Sequence, residues 1–368
     1  MLRRARREIG SLELMRCPYP ESTFDFEPEL VARGTHELSA LGEVLALADP
    51  EGLVEPRSRV LCAGLSHLGV LALRALGGGA SEADVSRAAA LLSLVTKVDD
   101  QIIDALPFHG GSETPEGVVR ARTTEYLDAT LAAIVDGKTR SPRLELAAEL
   151  GHRLRALAST PARLESMWAT LAEGFAVQVD VVVTLTRHPA EVSLERVSRV
   201  TREISGAWLH MITAVGALPS DARRSLTAAE KQGFFAWGSA IQRADALADL
   251  EKDLGDGHLS TYPGRLLFDL CPGEYLEAMR TFDGDALYAL VHREGVDDAC
   301  LGDTGEDPRA LEALGDLGEI PSLLAWIRGY LVRRYRAHPR ARGAAYVVAP
   351  ERGVLFPSAS RGLSCSGR

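Results

Sequence analysis

The chain has 368 residues, 46% of them hydrophobic and 25% charged, ordinary globular proportions that exclude wholesale disorder. With 51 Asp and Glu against 41 Lys and Arg, the net charge is -10 and the pI is near 5.5. A general nucleic-acid binder needs a positive surface field, so that class is disfavoured, whereas a small anionic substrate is allowed where local Arg residues or metal ions supply positive charge.

Residues 1–35 are rich in Pro, Glu and Phe without a sustained period and read as an irregular N-terminal arm. Their basic start meets Gly10, Pro18 and Pro20 before any apolar signal core can form. Helical text begins at Leu38. Residues 59–76 are apolar at helical spacing and stop at Gly77, Gly78 and Gly79. Ser81, with Asp84 three residues on, predicts a capped start for a helix running through Ala88, Leu92 and Thr96 to Asp104, before a break at Pro107 and Gly110-Gly111. Further helices are predicted at about 116–136, 142–158, 160–186, 192–216, 227–254, 272–280, 285–294 and 320–337. The most apolar stretch, 175–185, is interrupted by Gln178 and Asp180, short of the about 20 residues a spanning helix needs. Cys17, Cys62, Cys271, Cys300 and Cys365 form no Cys-x-x-Cys pair, which argues against a zinc ribbon and fits a reducing cytoplasm. The expectation is an all-α protein: a single large helical bundle of about ten helices over 36–338 around a central pocket, with a mobile tail over 339–368.

Two acidic clusters break helix rules in the same direction. Asp100 and Asp104 share a helical face whose preceding turns read Thr96, Leu92 and Ala88, and they fall in the last turn, where the helix dipole disfavours acids by about 0.3–1 kcal/mol each. Asp245, Asp249 and Asp253 stack at four-residue intervals below Ile241 and Trp237, before Gly255 and Gly257. Solvated ends of surface helices are one reading. The other is a pocket with an apolar floor and an acidic rim, able to hold a hard divalent cation such as Mg²⁺ against substrate phosphates.

The segment Asp99-Asp100-Gln101-Ile102-Ile103-Asp104 resembles the aspartate-rich DDxxD motif of class I isoprenoid synthases, in the register Asp100 to Asp104 with Gln101 at the second aspartate. Asp245, Asp249 and Asp253 resemble the NSE metal motif of class I terpene cyclases, with Asp replacing Asn, Ser and Glu, and Leu250-Glu251-Lys252-Asp253-Leu254 is similar to its flank. An aspartate-rich second motif with Gln242 near its start is also similar to squalene and phytoene synthases. Arg202, Ser205 and Gly206 resemble a diphosphate sensor followed by a helix-break segment, and Arg334-Tyr335 resembles the C-terminal pair that closes on diphosphate. The Gly-Gly-Lys-x-Arg-Pro signal of chain-elongating synthases has no counterpart.

The resemblance, over about 85–336, implies a cytoplasmic class I terpene synthase, a lyase that ionises a linear polyprenyl diphosphate such as farnesyl or geranylgeranyl diphosphate and cyclises or rearranges the carbocation. It implies Mg²⁺, three ions, on Asp100, Asp104, Asp245, Asp249 and Asp253. Asp99 would be an acceptor behind them. Arg202, Arg334 and Tyr335 would act on the diphosphate, with Ser205, Gly206, Lys252, Trp208 and Trp237 completing the substrate site. Trp168 and Phe175 are further candidates for its wall, while Arg243 could face the diphosphate or screen the acids. The expected partner is the small-molecule prenyl diphosphate, with no nucleic acid and no membrane span; a homodimer is compatible. Two alternatives stay open: coupling of two prenyl diphosphates, and a non-catalytic helical binding protein that retains the pocket.

Overall fold

A computed structural model describes residues 24–49, 52, 54–104, 114–139, 141–219, 224–302 and 306–343. The described residues contain sixteen α-helices and no strand, so the all-α expectation holds while the helix number exceeds it. In chain order they are α1 (Glu27–Ala48), α2 (Pro56–Gly64), α3 (His67–Leu76), α4 (Glu82–Asp104), α5 (Glu116–Asp136), α6 (Glu145–Leu157), α7 (Pro161–Leu185) and α8 (Leu194–Gly216). Then follow α9 (Ala228–Ala248), α10 (Leu250–Gly255), α11 (Tyr262–Leu270), α12 (Pro272–Thr281), α13 (Gly284–Glu294), α14 (Val296–Leu301), α15 (Pro308–Glu312) and α16 (Ile320–Ala337).

Several expected signals appear where the sequence put them. Gly77 ends α3 at φ 74°, a left-handed cap that glycine adopts without a Cβ penalty. The Ser81 hydroxyl accepts from the Asp84 amide at 3.4 Å at the start of α4. The break assigned to Pro107 and Gly110-Gly111 lies outside the described residues, as do 1–23 and 344–368.

Other boundaries move. The N-terminal arm was expected to reach residue 35, but α1 already starts at Glu27 and packs through Leu30, Leu41 and Leu45. Its stripe is disguised by Gly34, which crosses α2 so closely that a Cβ would clash with the Val60 carbonyl, and by buried Glu37, which accepts from Arg87 at 3.1 Å. At the other end the helical body continues past 339, with Ala341 buried. The single expected helix over 59–76 is interrupted at Leu65 and Ser66. Two stretches, Pro56–Leu76 and Pro161–Leu185, do reach the length and apolarity of a membrane span, contrary to expectation, because Val, Leu, Ala and Gly outweigh their few polar residues. Their apolar windows are 61% and 44% buried inside the protein.

The helices form a ring. α9 packs against α8 and α16, α8 against α7, α7 against α5, α5 against α6, α6 against α4, and α4 against α2 and α3. α8 crosses α9 closely: a Cβ on Gly238 would lie 2.3 Å from the Gly206 nitrogen, and one on Gly206 2.7 Å from the Phe235 Cα. The main core fills the ring walls, while a second core of Leu247, Leu254, Leu267, Tyr288, Val291 and Tyr335 seats α10 to α14 beneath the end of α9. A cavity occupies the centre of the ring.

Candidate active site

The cavity has a volume of about 570 Å³ and is bounded by α1, α2, α4, α5, α7, α8, α9 and α16. Its body is apolar, with Phe175, Trp208, Met211, Ile241, Trp326 and Leu331 in the wall. Trp208 is fixed by its indole N–H, which donates to Thr96 Oγ1 at 3.2 Å, and Trp326 stacks on Tyr330 with centroids 5.5 Å apart. A smaller chamber of about 120 Å³ adjoins it under α7, α8 and α11. Lys97, Asp100, Gln178, Ile204, Gln242, Asp245 and Asp249 line both spaces and form the neck between them.

All five expected aspartates, Asp100, Asp104, Asp245, Asp249 and Asp253, border the small chamber. α4 delivers its two from an unbroken helix, one turn apart. The second set was expected on one continuous helix reaching Gly255, yet α9 stops at Ala248 and Asp249 adopts φ -107°, ψ 11° before α10 begins. The stacking survives because the amides of Asp249 and Asp253 each donate four residues back, to the carbonyls of Asp245 and Asp249, at 2.8 Å.

Each carboxylate meets a distinct electrostatic setting. Asp100 accepts from Lys97 Nζ at 2.7 Å and from the Gln178 amide at 3.3 Å. Burial opposes its ionisation, but the Lys97 charge and hydrogen bond outweigh that and hold the carboxyl below the usual range. His258 Nε2 lies 3.2 Å from Asp104 Oδ1. Burial disfavours the imidazolium there, but Asp104, Asp253 and Asp100 raise it to about 9. Asp249 pairs with Arg334. Burial, then the neighbouring Asp249, pushes Asp245 up to about 6; burial, with Asp245 and Asp249, pushes Asp253 up to about 8. Repulsion at the second cluster is therefore only partly relieved by the chain's own cations.

This donor set is carboxylate oxygen, which suits Mg²⁺ better than a softer metal, and a divalent cation would relieve the repulsion that raises Asp245 and Asp253. Among the described residues no three of these groups already stand in metal-holding positions. The donors thus fit such an ion in kind, with Lys97, His258 and Arg334 holding several of them as ion pairs.

Several of the expected residues lie away from the two spaces. Arg202 borders neither cavity: its guanidinium donates to Glu306 and Gln232, both at 3.1 Å, and lies over Phe235 on the outer edge of α8. Tyr335, expected beside Arg334, is buried in the second core, with its ring 6.2 Å from Tyr288. Gly206 does not break its helix; α8 is continuous through it, and the missing side chain allows α9 to approach. Trp237 is 2% exposed and packs in the main core, and Trp168 lies partly buried under Arg155. Arg243 lies 4.1 Å over the Tyr262 ring and borders neither space.

Of the other candidates, Ser205, Trp208 and Arg334 border the large cavity, and Lys252 borders the chamber, where it pairs with Asp256 at 2.7 Å. The Ser205 hydroxyl donates to Gln242 Oε1 at 2.5 Å across α8 and α9. Asp99 lies behind the rim: it accepts from Tyr126 at 2.8 Å and Thr130 at 3.4 Å, and burial pushes its carboxyl up to about 6. Lys97, Gln178 and His258 were missed. Lys97 carried a signal, since a cation one turn before two acids in a last helical turn marks a counter-charge; His258 and Gln178 reach the site only by tertiary packing.

No family model and no curated protein matches the chain. Among solved structures it is similar to a single-substitution variant of cucumene synthase, at 18% identity and a TM-score of 0.44, over 86% of this chain and 99% of that one.

Proposed function

We propose that the protein is a Mg²⁺-dependent class I terpene synthase that ionises a linear polyprenyl diphosphate and cyclises or rearranges the allylic cation, releasing diphosphate. The observation that carries this reading is the meeting of five aspartates from α4 and from the α9–α10 junction at one end of an apolar cavity of about 570 Å³. A charged head and a long apolar body fit two such adjoining spaces in that order.

In this reading Asp100, Asp104, Asp245, Asp249 and Asp253 hold the metal. Held there, the metal would supply positive charge to the diphosphate oxygens. Arg334 and Lys252, at the cavity and chamber walls, donate to the same oxygens, so stabilisation grows as the leaving group gains charge. Gln178 orients Asp100 through its amide, and Ser205 orients Gln242 at the neck. The allylic cation then sits among Phe175, Trp208, Trp326 and Tyr330, whose ring faces stabilise positive charge. Met211, Ile241 and Leu331 exclude the water that would quench it.

The test is incubation with C10 to C25 prenyl diphosphates and Mg²⁺, followed by mass spectrometry of the organic extract and assay of released pyrophosphate. A cyclic or rearranged hydrocarbon or alcohol, with matching pyrophosphate, is expected. A product of doubled carbon number would assign coupling of two substrates instead, and no pyrophosphate from any substrate would leave a binding protein.

A further inference from the structure

Lys97 has a position that no other basic residue of the site shares. Lys252 and His258 border only the small chamber, and Arg57 and Arg334 only the large cavity, whereas Lys97 borders both. A ligand with an anionic head in the chamber and an apolar body in the cavity must cross the neck where Lys97 sits.

We propose that Lys97 is the anion ligand of that neck, paired with Asp100 at rest and turned onto the substrate's diphosphate when a cation occupies the acids. The proposal rests on the diphosphate reading above. Its geometry has two parts. Lys97 Nζ donates to Asp100 Oδ2 at 2.7 Å, while Gln178 holds the other oxygen of Asp100 at 3.3 Å, so the carboxylate keeps an anchor when the lysine leaves. The Lys97 side chain is 32% exposed, and its flexible four-carbon stem with three rotatable donors can swing. A cation that takes Asp100 Oδ2 frees the Lys97 ammonium beside the anionic head, exchanging one ion pair for two.

The experiment is calorimetric titration of the full-length protein with inorganic pyrophosphate in Mg²⁺, and with Mg²⁺ alone, comparing the parent with Lys97→Gln and Lys97→Arg. Lys97→Gln should weaken pyrophosphate binding by about 10- to 100-fold, the scale of a lost hydrogen bond to a charged group. Its affinity for Mg²⁺ alone should be equal or tighter, since a competitor for Asp100 is gone, and Lys97→Arg should recover most of the pyrophosphate affinity. Should Lys97→Gln melt early, Lys97→Met carries the same test with the stem retained. Unchanged pyrophosphate affinity in the neutral variants, or a parallel loss of Mg²⁺ affinity, would overturn the assignment and leave Lys97 a counter-ion. A parent protein that takes up no pyrophosphate would overturn the diphosphate reading and this proposal with it.

Discussion

The two acidic walls face one chamber but are built differently. On α4, an unbroken helix, Asp100 and Asp104 each have a cation from the chain, Lys97 and His258. At the α9–α10 junction the helix is interrupted at Asp249, and Asp245 and Asp253 are pushed up to about 6 and about 8 by burial and by one another's neighbours. The first wall is close to electrostatic balance; the second stores repulsion that folding elsewhere must offset. On the proposed reading, a wall of that second kind would gain most from an external cation.

The largest effect should fall on turnover. Asp100→Asn and Asp249→Asn should each lower Mg²⁺-dependent pyrophosphate release by about 10²-fold or more, on the scale of lost electrostatic stabilisers, with circular dichroism still helical. Arg202→Ala should release pyrophosphate within about 2-fold of the parent once corrected for folded fraction, because its partners are Glu306 and Gln232 rather than the cavity.

The next effect concerns the scaffold that aligns the two walls. Gly206→Ala should destabilise the protein by about 1–3 kcal/mol in urea unfolding, as overpacking against backbone does. The new Cβ would lie 2.7 Å from the Phe235 Cα, which cannot move cheaply. A Gly206→Ala protein of parental stability that had lost turnover would instead restore a catalytic part for this glycine.

Stability should also separate the walls by sign. In metal-free buffer at pH 8.5, Asp253→Asn should melt about 1 °C or more above the parent, since a repelled carboxylate is removed. Asp100→Asn should instead lose about 1 kcal/mol by leaving Lys97 without its half-exposed partner. Equal shifts in the two variants would erase the contrast between the walls.

A further effect lies away from both walls. Burial on α8, with Lys231 adding to it and Glu173 opposing, depresses His210 to about 4 against the usual 6.5. The unfolded chain therefore binds the extra proton between those values, and stability falls as pH drops from about 6.5 toward 4. His210→Gln should flatten that part of the pH–stability curve in thermal melts.

What the sequence disclosed, and what it hid, follows from how helices carry information. The acids were legible because an apolar face that turns acidic in a last turn defies local preference, and all five do meet at one chamber. Ser81 and Gly77 were legible as caps for the same local reason. Arg334 and Tyr335 were read as a unit, yet adjacent helical residues point about 100° apart, so one reaches the cavity and the other enters the second core. The start of α1 was hidden because its buried stripe includes Gly34 and Glu37, whose places depend on Val60 and Arg87 across helix contacts. The interruption at Asp249 was equally invisible, since the intervals of four persist through it.

The central claim is that acids from two separate helical walls act on one shared cation cluster. It is tested most directly by a double-mutant cycle on Mg²⁺-dependent pyrophosphate release with Asp100→Asn, Asp249→Asn and the two combined. Groups that work as a unit are strongly non-additive, so the double variant should be little slower than the slower single variant. Independent, multiplying losses, or release at the parental rate in both single variants, would contradict the account.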